Sequence, residues 1–280
     1  MSTVKSMRAW VNGRLLDRAD EPALSVLDHG LVVGDGAFET VKTVSGEPFA
    51  LTRHLARLSR SLAGLGITPP ADDVLRGAVE AVLAADDLVG LGRLRITVTG
   101  GPSPLGSDRG DGPPTVAVVS DALGDWPATT AVSTVPWPRN ERGAVAGLKT
   151  TSYAENVVAL DYAHQRGGSE AVFANTVGLL CEGTGSNIVV VIDGEAVTPT
   201  LESGCLAGIT RQLLLEWCEV HERDVPVEVL AEADEVFLAS TTRDVQAVHR
   251  VDDRDVTAPG PVTTQVAKTF AERSAEHTDP

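Results

Sequence analysis

Positive charge is scarce in this chain. Its 23 lysines and arginines face 39 aspartates and glutamates, which leaves a net charge of −16 over 280 residues and an isoelectric point near 4.7. Such a balance argues against nucleic acid or an anionic membrane as partner, and mainly promises solubility. It also makes each arginine beside a motif informative, because an anionic ligand must find cations concentrated locally. Cysteine is almost missing. Cys181, Cys205 and Cys218 fit neither a zinc ligand spacing nor a CxxC pair, which excludes a disulfide framework. Reduced thiols in a cytoplasmic protein are expected, with Cys181 and Cys205 as small buried filler. The six histidines show no ligand pairing, so no metal site is read. No apolar run approaches spanning length, and residues 1–10 lack the apolar core of a signal peptide. There is no internal repeat and no low-complexity tract. What remains is ordinary globular composition, 42% hydrophobic and 22% charged, with length for one large or two modest domains.

Along the chain, residues 8–16 alternate around Asn12-Gly13, a strong hairpin signal. Gly34-Asp35-Gly36 permits an unusual backbone path before a strand that alternates from Phe38 to Val44. No third glycine, following helix or phosphate-loop lysine completes a nucleotide fingerprint there. Residues 51–62 place Leu51, Leu55, Leu58 and Leu62 at helical spacing, with Thr52 as N-cap and Arg53, Arg57 and Arg60 on a shared face. A second helix is expected over 72–85 and a strand over 92–99. Residues 100–110 are too rich in Gly, Pro and polar residues for anything but a loop, and a loop of that length is often functional. A strand closes this part near 113–119. Residues 121–131 make the best linker, dividing a smaller α/β domain (1–120) from a larger one (132–280). In the second part a helix is expected over 154–164 and another over 211–221, the latter opening an anion site with its free N–H groups at Ile209 and Thr210. Strands follow near 171–173, 188–192 and 235–239, with a C-terminal helix after Pro259.

The organising stretch is 180–191. Apolar β-branched runs on either side, punctuated by Asn/Gly and Asp/Gly, read as consecutive antiparallel strands. Glu182 then sits at a strand end in a small-residue loop, where a carboxylate needs a cationic or hydrogen-bonding partner. Upstream, Lys149 lies among small and apolar neighbours, and only Lys5 and Lys42 precede it among the lysines. Downstream come Gly208-Ile209-Thr210-Arg211 and Ser240-Thr241-Thr242. A lysine, a carboxylate and two turns rich in backbone donors are the parts of a pyridoxal phosphate site.

With these motifs in this order, the chain resembles the class IV (fold type IV) pyridoxal-phosphate aminotransferases. That group includes D-amino acid and branched-chain aminotransferases, R-selective amine transaminases and aminodeoxychorismate lyases. The resemblance implies a two-domain mixed α/β (α+β) fold with an antiparallel-rich, barrel-like sheet in the larger domain, the cofactor between the domains, and a homodimer. It assigns Lys149 to the Schiff base and to proton transfer at the substrate α-carbon. Glu182 is assigned to the pyridine nitrogen. Arg57, the amides of Ile209 and Thr210, and the Ser240-Thr241 turn are assigned to the phosphate. Phe38, Thr40 and Lys42, alternate residues of the GDGxFE-like strand, would line the substrate pocket.

Within the family, Lys42 after Phe38-Glu39-Thr40-Val41 looks more like the D-amino acid enzymes than the branched-chain ones. The 100–110 loop departs from both, yet carries Arg109, a candidate for the substrate carboxylate. Thr40 occupies a place where aminodeoxychorismate lyases also carry threonine. The expected reaction is transfer of an amino group from a D-amino acid, or an R-amine, to 2-oxoglutarate or pyruvate, with the lyase as the near alternative and a branched-chain L-amino acid enzyme further off.

Overall fold

The computed structural model describes residues 7–86 and 90–280, so the reading of residues 1–10 falls partly outside the described residues. Two units form. The first comprises Met1–Asp125, Leu148–Tyr153 and Thr278–Pro280; the second comprises Trp126–Gly147 and Ala154–His277. The chain passes from one unit to the other between Asp125 and Trp126, inside the expected linker. The Lys149 segment, read from sequence as part of the later domain, belongs to the first unit.

In the first unit, β1 (Arg8–Val11) and β2 (Arg14–Leu15) pair across Asn12 and Gly13, whose φ of 46° and 91° suit a tight hairpin turn. A short helix α1 (His29–Val32) precedes β3 (Gly36–Val44) and β4 (Glu47–Pro48). Then come α2 (Leu51–Leu65), α3 (Asp72–Ala84), β5 (Leu91–Thr99) and β6 (Thr115–Ala122). The sheet runs β2-β1-β6-β5-β3-β4, with β3 and β5 antiparallel from Gly36 opposite Thr99 to Val44 opposite Leu91. Strand period two sorts the side chains. Ala37, Val41, Leu94, Ile96, Val98, Val116 and Val118 pack with Leu55, Leu58 and Leu62 of α2 and Leu75, Val79 and Val82 of α3. Phe38, Thr40, Lys42, Arg93 and Arg95 stand on the other face.

Helix α2 does not start as the sequence implied. Its N-cap is Ala50, in the left-handed region at φ 54°, and Thr52 lies inside the first turn. The cap is supplied from the far end of the chain: Thr52 donates its amide to Asp279 Oδ1 at 2.9 Å and its hydroxyl to Oδ2 at 2.5 Å. A carboxylate there also suits the positive end of the helix dipole.

The second unit holds β7 (Thr129–Thr134), α4 (Ala154–His164), β8 (Glu170–Ala174), β9 (Leu180–Gly183), β10 (Asn187–Ile192) and β11 (Glu195–Thr198). After these come α5 (Ile209–Trp217), β12 (Val220–Glu222), β13 (Glu235–Ser240), β14 (Asp244–Val251), β15 (Arg254–Asp255) and α6 (Pro261–Glu276). The strand path is β12-β11-β10-β13-β14-β7-β8-β9, with β15 added to β14. Most pairs are antiparallel, as expected; β7–β8, β7–β14 and β11–β12 are parallel. Val132, Val172, Leu180, Ile188, Val190, Leu238 and Val248 form the core beneath. Helix α5 ends at Trp217, short of the expected 221, because Val220 and His221 pair with Ala196 and Val197. Strand pairing wins over helical pattern there. Among the described residues no helix is long and apolar enough to cross a membrane.

Candidate active site

The first unit assembles its group around β3. Lys149 is pinned by its backbone: its carbonyl accepts the Phe38 amide at 3.1 Å and its amide donates to Ser61 Oγ at 3.1 Å. Its Nζ stands 4.4 Å from the Phe38 ring centroid and 3.5 Å from the Tyr153 hydroxyl. The Phe38 and Tyr153 rings meet edge to face at 5.1 Å. Arg95 shares the same aromatic surface, its Cζ 3.2 Å from the Phe38 centroid. As a whole residue Arg95 is exposed, yet the surroundings of its guanidinium are dry enough that desolvation lowers its pKa to about 10. Tyr153 and Glu39 hold that value up, and Arg93 lowers it further.

On the opposite face of β3, Glu39 is fully buried. Arg57 reaches it with Nε at 2.8 Å from Oε1 and Nη2 at 2.7 Å from Oε2, and His54 Nδ1 lies 2.7 Å from Oε2. Burial alone would raise the Glu39 carboxyl, but the Arg57 charge and hydrogen bonds, then His54, hold it well below the usual range. Burial pushes His54 down, with Arg57 and Lys149 adding to the effect and Glu39 opposing it. His54 is therefore a structural hydrogen-bonding residue.

Lys42 is buried with Nζ 5.2 Å from the Phe49 ring, and Thr40 lies opposite Arg95 in the strand register. Arg109 is paired with an acid. Its Nε and Nη2 bind the two oxygens of Asp35 at 2.7 and 2.6 Å, and Asp35 also meets His29 Nδ1 at 3.0 Å. His29 Nε2 lies 2.9 Å from the Gly106 carbonyl oxygen, so the 100–110 loop is stapled down at two points. The Arg109 hydrogen bonds hold the Asp35 carboxyl below its ordinary value despite partial burial. Arg109 is thus held to the segment before β3 by the Asp35 carboxylate.

The second unit gathers the other candidates. Glu182, in β9, accepts the Leu206 amide on Oε2 at 2.9 Å and has Arg139 Nε 3.3 Å from Oε1. Two residues after Leu206, Gly208 is the N-cap of α5 and offers no capping side chain to the first amides of that helix. A Cβ at Gly208 would overlap Asn187 Oδ1, while Asn187 Nδ2 donates to the Leu206 carbonyl at 2.9 Å. Asn187 in turn stands opposite Ala239, which places Ser240 and Thr241 at the same end of the sheet. Glu182, the α5 N-terminus and the Ser240-Thr241 turn are thus linked through residues 206–208 and Asn187. Cys181 and Cys205 are buried, with thiols that burial raises, Cys205 to about 11. They are inert filler.

Glu39, Arg95, Tyr153 and Arg139 were not singled out from sequence. Glu39 could have been: period two from Ala37 and Val41 puts it on the core face, and a buried carboxylate demands a cation. Arg95 and Arg139 depend on register and long-range packing that no local pattern carries.

The family described as Amino-transferase class IV matches residues 36–251. A putative branched-chain-amino-acid aminotransferase of Methanocaldococcus jannaschii is 31% identical, over 94% of this chain and 95% of its own. The D-alanine aminotransferase of Listeria innocua is 30% identical, over 95% of this chain and 96% of its own. Among solved structures, a hypothetical aminotransferase from Mycobacterium tuberculosis in its PLP-bound form superposes with a TM-score of 0.84 at 25% identity, covering 94% of this chain and 97% of that one. The chain therefore belongs to the class IV aminotransferases and has their fold type IV architecture.

Proposed function

We propose that this class IV enzyme is a pyridoxal-phosphate-dependent transaminase that takes the amino group of a D-amino acid and delivers it to a 2-oxo acid such as 2-oxoglutarate or pyruvate. The carrying observation is the Lys149 amine held against Phe38 and Tyr153 with the Arg95 guanidinium on the same ring. A proton-transferring amine beside a partly desolvated cation suits a substrate with a carboxylate next to its reacting carbon.

The residues fit the cofactor. The largely buried Glu182 carboxylate, fixed by the Leu206 amide, can receive a protonated ring nitrogen. The α5 N-terminus at Ile209 and Thr210 and the Ser240-Thr241 turn can hold a phosphate. Arg57, oriented by Glu39, is the side-chain cation proposed for the same phosphate. When bound, pyridoxal phosphate supplies an electron sink for the pair left on the substrate α-carbon. Lys149 would hold the cofactor and, when free of it, would move the α-proton at Nζ, with the Tyr153 hydroxyl steering that amine. Phe38 walls off water, and Thr40 and Lys42 shape the same face of β3. Arg95, in place of Arg109, is proposed to bind the α-carboxylate.

The D-amino acid choice is supported by the D-alanine aminotransferase relatives and by Lys42 in its strand. Thr40 supports the second reading, an aminodeoxychorismate lyase. The two separate in a half-reaction. Enzyme loaded with cofactor is mixed with D-alanine, L-leucine or aminodeoxychorismate, and loss of near-visible cofactor absorbance is followed. Rapid conversion by D-alanine supports the transaminase; pyruvate release from aminodeoxychorismate with D-alanine inert makes it a lyase; preference for L-leucine makes it a branched-chain enzyme.

A homodimer is part of this proposal. Leu24, Val26, Leu27, Leu31 and Val33 are exposed within ten residues of sequence, an apolar concentration that self-association would cover. Sedimentation should give twice the chain mass. The free thiols favour a cytoplasmic setting.

A further inference from the structure

Glu182 is held by more than a backbone amide. Arg139 Nε, buried and without a hydrogen bond of its own, faces Glu182 Oε1 at 3.3 Å. The rest of that guanidinium is anchored elsewhere: Nη1 donates to Asn156 Oδ1 at 2.9 Å and to Glu155 Oε2 at 2.6 Å. Its Cζ stacks 4.1 Å from the Phe173 ring centroid, and the Arg139 amide donates to the Ala174 carbonyl at 2.7 Å. Asn156 closes the circuit, its Nδ2 donating at 2.5 Å to the carbonyl of Thr184, two residues past Glu182.

We infer that Arg139 is a positioning residue for the reaction: it keeps the Glu182 carboxylate charged and aimed, with Asn156 fixing the guanidinium against the loop that follows Glu182. The inference rests on the assignment of Glu182 to the ring nitrogen. Charge counting supports it. One guanidinium faces two carboxylates, Glu182 and Glu155, so these three groups together carry one surplus negative charge. A protonated ring nitrogen at Glu182 neutralises that surplus, whereas a neutral nitrogen leaves it in place. Glu182 and Arg139 side chains are only 14% and 16% exposed, so the surplus is poorly screened. Glu155 is 51% exposed and water answers for much of its charge, which leaves Arg139 working chiefly on Glu182. A guanidinium that merely tethered residues 139–142 to β8 would influence folding and nothing at the ring.

The test separates these roles. Pyridoxal phosphate labelled with nitrogen-15 in its ring is bound to the wild type, Glu182→Gln, Arg139→Gln, Arg139→Lys and Asn156→Ala, and the ring nitrogen shift is read by NMR alongside kcat, KM and cofactor content. The wild type should show a protonated nitrogen and Glu182→Gln an unprotonated one. Arg139→Gln should shift partway, with kcat down between about 10- and 100-fold, the usual cost of losing a partner that orients a primary group, while KM and cofactor content hold. Arg139→Lys should recover most of the shift. Asn156→Ala, which leaves the charge but frees the guanidinium, should move the shift slightly in the same direction, and serves if Arg139→Gln does not fold. Wild-type nitrogen shifts in the Arg139 and Asn156 variants, with Glu182→Gln displaced, would overturn this inference alone. A wild-type shift in Glu182→Gln would overturn the Glu182 assignment and this inference with it.

Discussion

Arg57 and Glu39 form a two-pronged ion pair inside the first unit, at 2.8 and 2.7 Å, with His54 as third member. The arginine proposed for the phosphate is thus preset by a buried acid on the neighbouring strand. Removing the acid leaves a buried cation uncompensated, so Glu39→Gln should cost about 3 kcal/mol near neutral pH.

The pH dependence has a fixed sign. Unfolded, His54 titrates near 6.5 and Glu39 near 4.5; folded, both are lower. Below each unfolded value the unfolded chain takes up a proton that the folded chain refuses, so acid destabilises the fold. The loss contributed by His54 begins as pH falls through 6.5, and that of Glu39 follows as pH falls through 4.5 toward about 2. Urea midpoints should therefore show a gap between wild type and Glu39→Gln that is full above 4.5 and shrinks below it. A gap constant with pH would contradict the account.

Arg95 and Arg109 should respond differently to removal. Arg95→Leu should raise KM for D-alanine and 2-oxoglutarate by tenfold or more, on the order of 1.4 kcal/mol for a lost charge-assisted contact, with little effect on an R-amine donor. Arg109→Leu frees Asp35 and loosens the 100–110 loop, so its effect should fall alike on donors with and without a carboxylate. Equal behaviour of the two variants in steady-state kinetics would return the carboxylate role to Arg109.

Glu182→Ala should keep bound cofactor, because the phosphate donors are untouched, yet lose turnover by roughly a hundredfold, about 3 kcal/mol in the barrier. Absorbance gives the cofactor content and stopped-flow the rate. Wild-type turnover would end the role of Glu182 as partner of the ring nitrogen.

Gly208 offers a steric test of the phosphate end. A methyl group there meets Asn187 Oδ1, so Gly208→Ala must displace either the α5 N-terminus or Asn187, at a cost of about 1–3 kcal/mol. The cofactor dissociation constant, measured by fluorescence titration of the apoenzyme, should rise while the six-stranded sheet of the first unit keeps its stability. Unchanged cofactor affinity would mean that these amides do not carry the phosphate.

Much of this was legible in the sequence because the signals were local. The Asn12-Gly13 hairpin, the leucine spacing of α2, the alternation of β3 and β5, and the span of α4 follow from turn chemistry and periodicity alone. The surroundings of Lys149 and Glu182, small and apolar residues beside turns, were equally local, and so was the start of α5 next to Gly208. What escaped depends on distant partners. Thr52 has the local look of a cap, but Asp279, the group that caps α2, lies 227 residues away. Nothing local to Arg109 shows its partner Asp35, 74 residues earlier. The placement of residues 148–153 beside β3 rests on hydrogen bonds to Phe38 and Ser61 that no window of sequence contains.

Chemical trapping tests whether Lys149 carries the cofactor. The chain has four lysines, Lys5, Lys42, Lys149 and Lys268, so the outcome is unambiguous. Purified enzyme saturated with pyridoxal phosphate is reduced with borohydride, digested, and mapped by mass spectrometry, with Lys149→Ala treated in parallel. One stable phosphopyridoxyl adduct is expected on Lys149 and, in the variant, a folded protein without near-visible absorbance or turnover. An adduct on Lys42, or transaminase activity retained in Lys149→Ala, would contradict it.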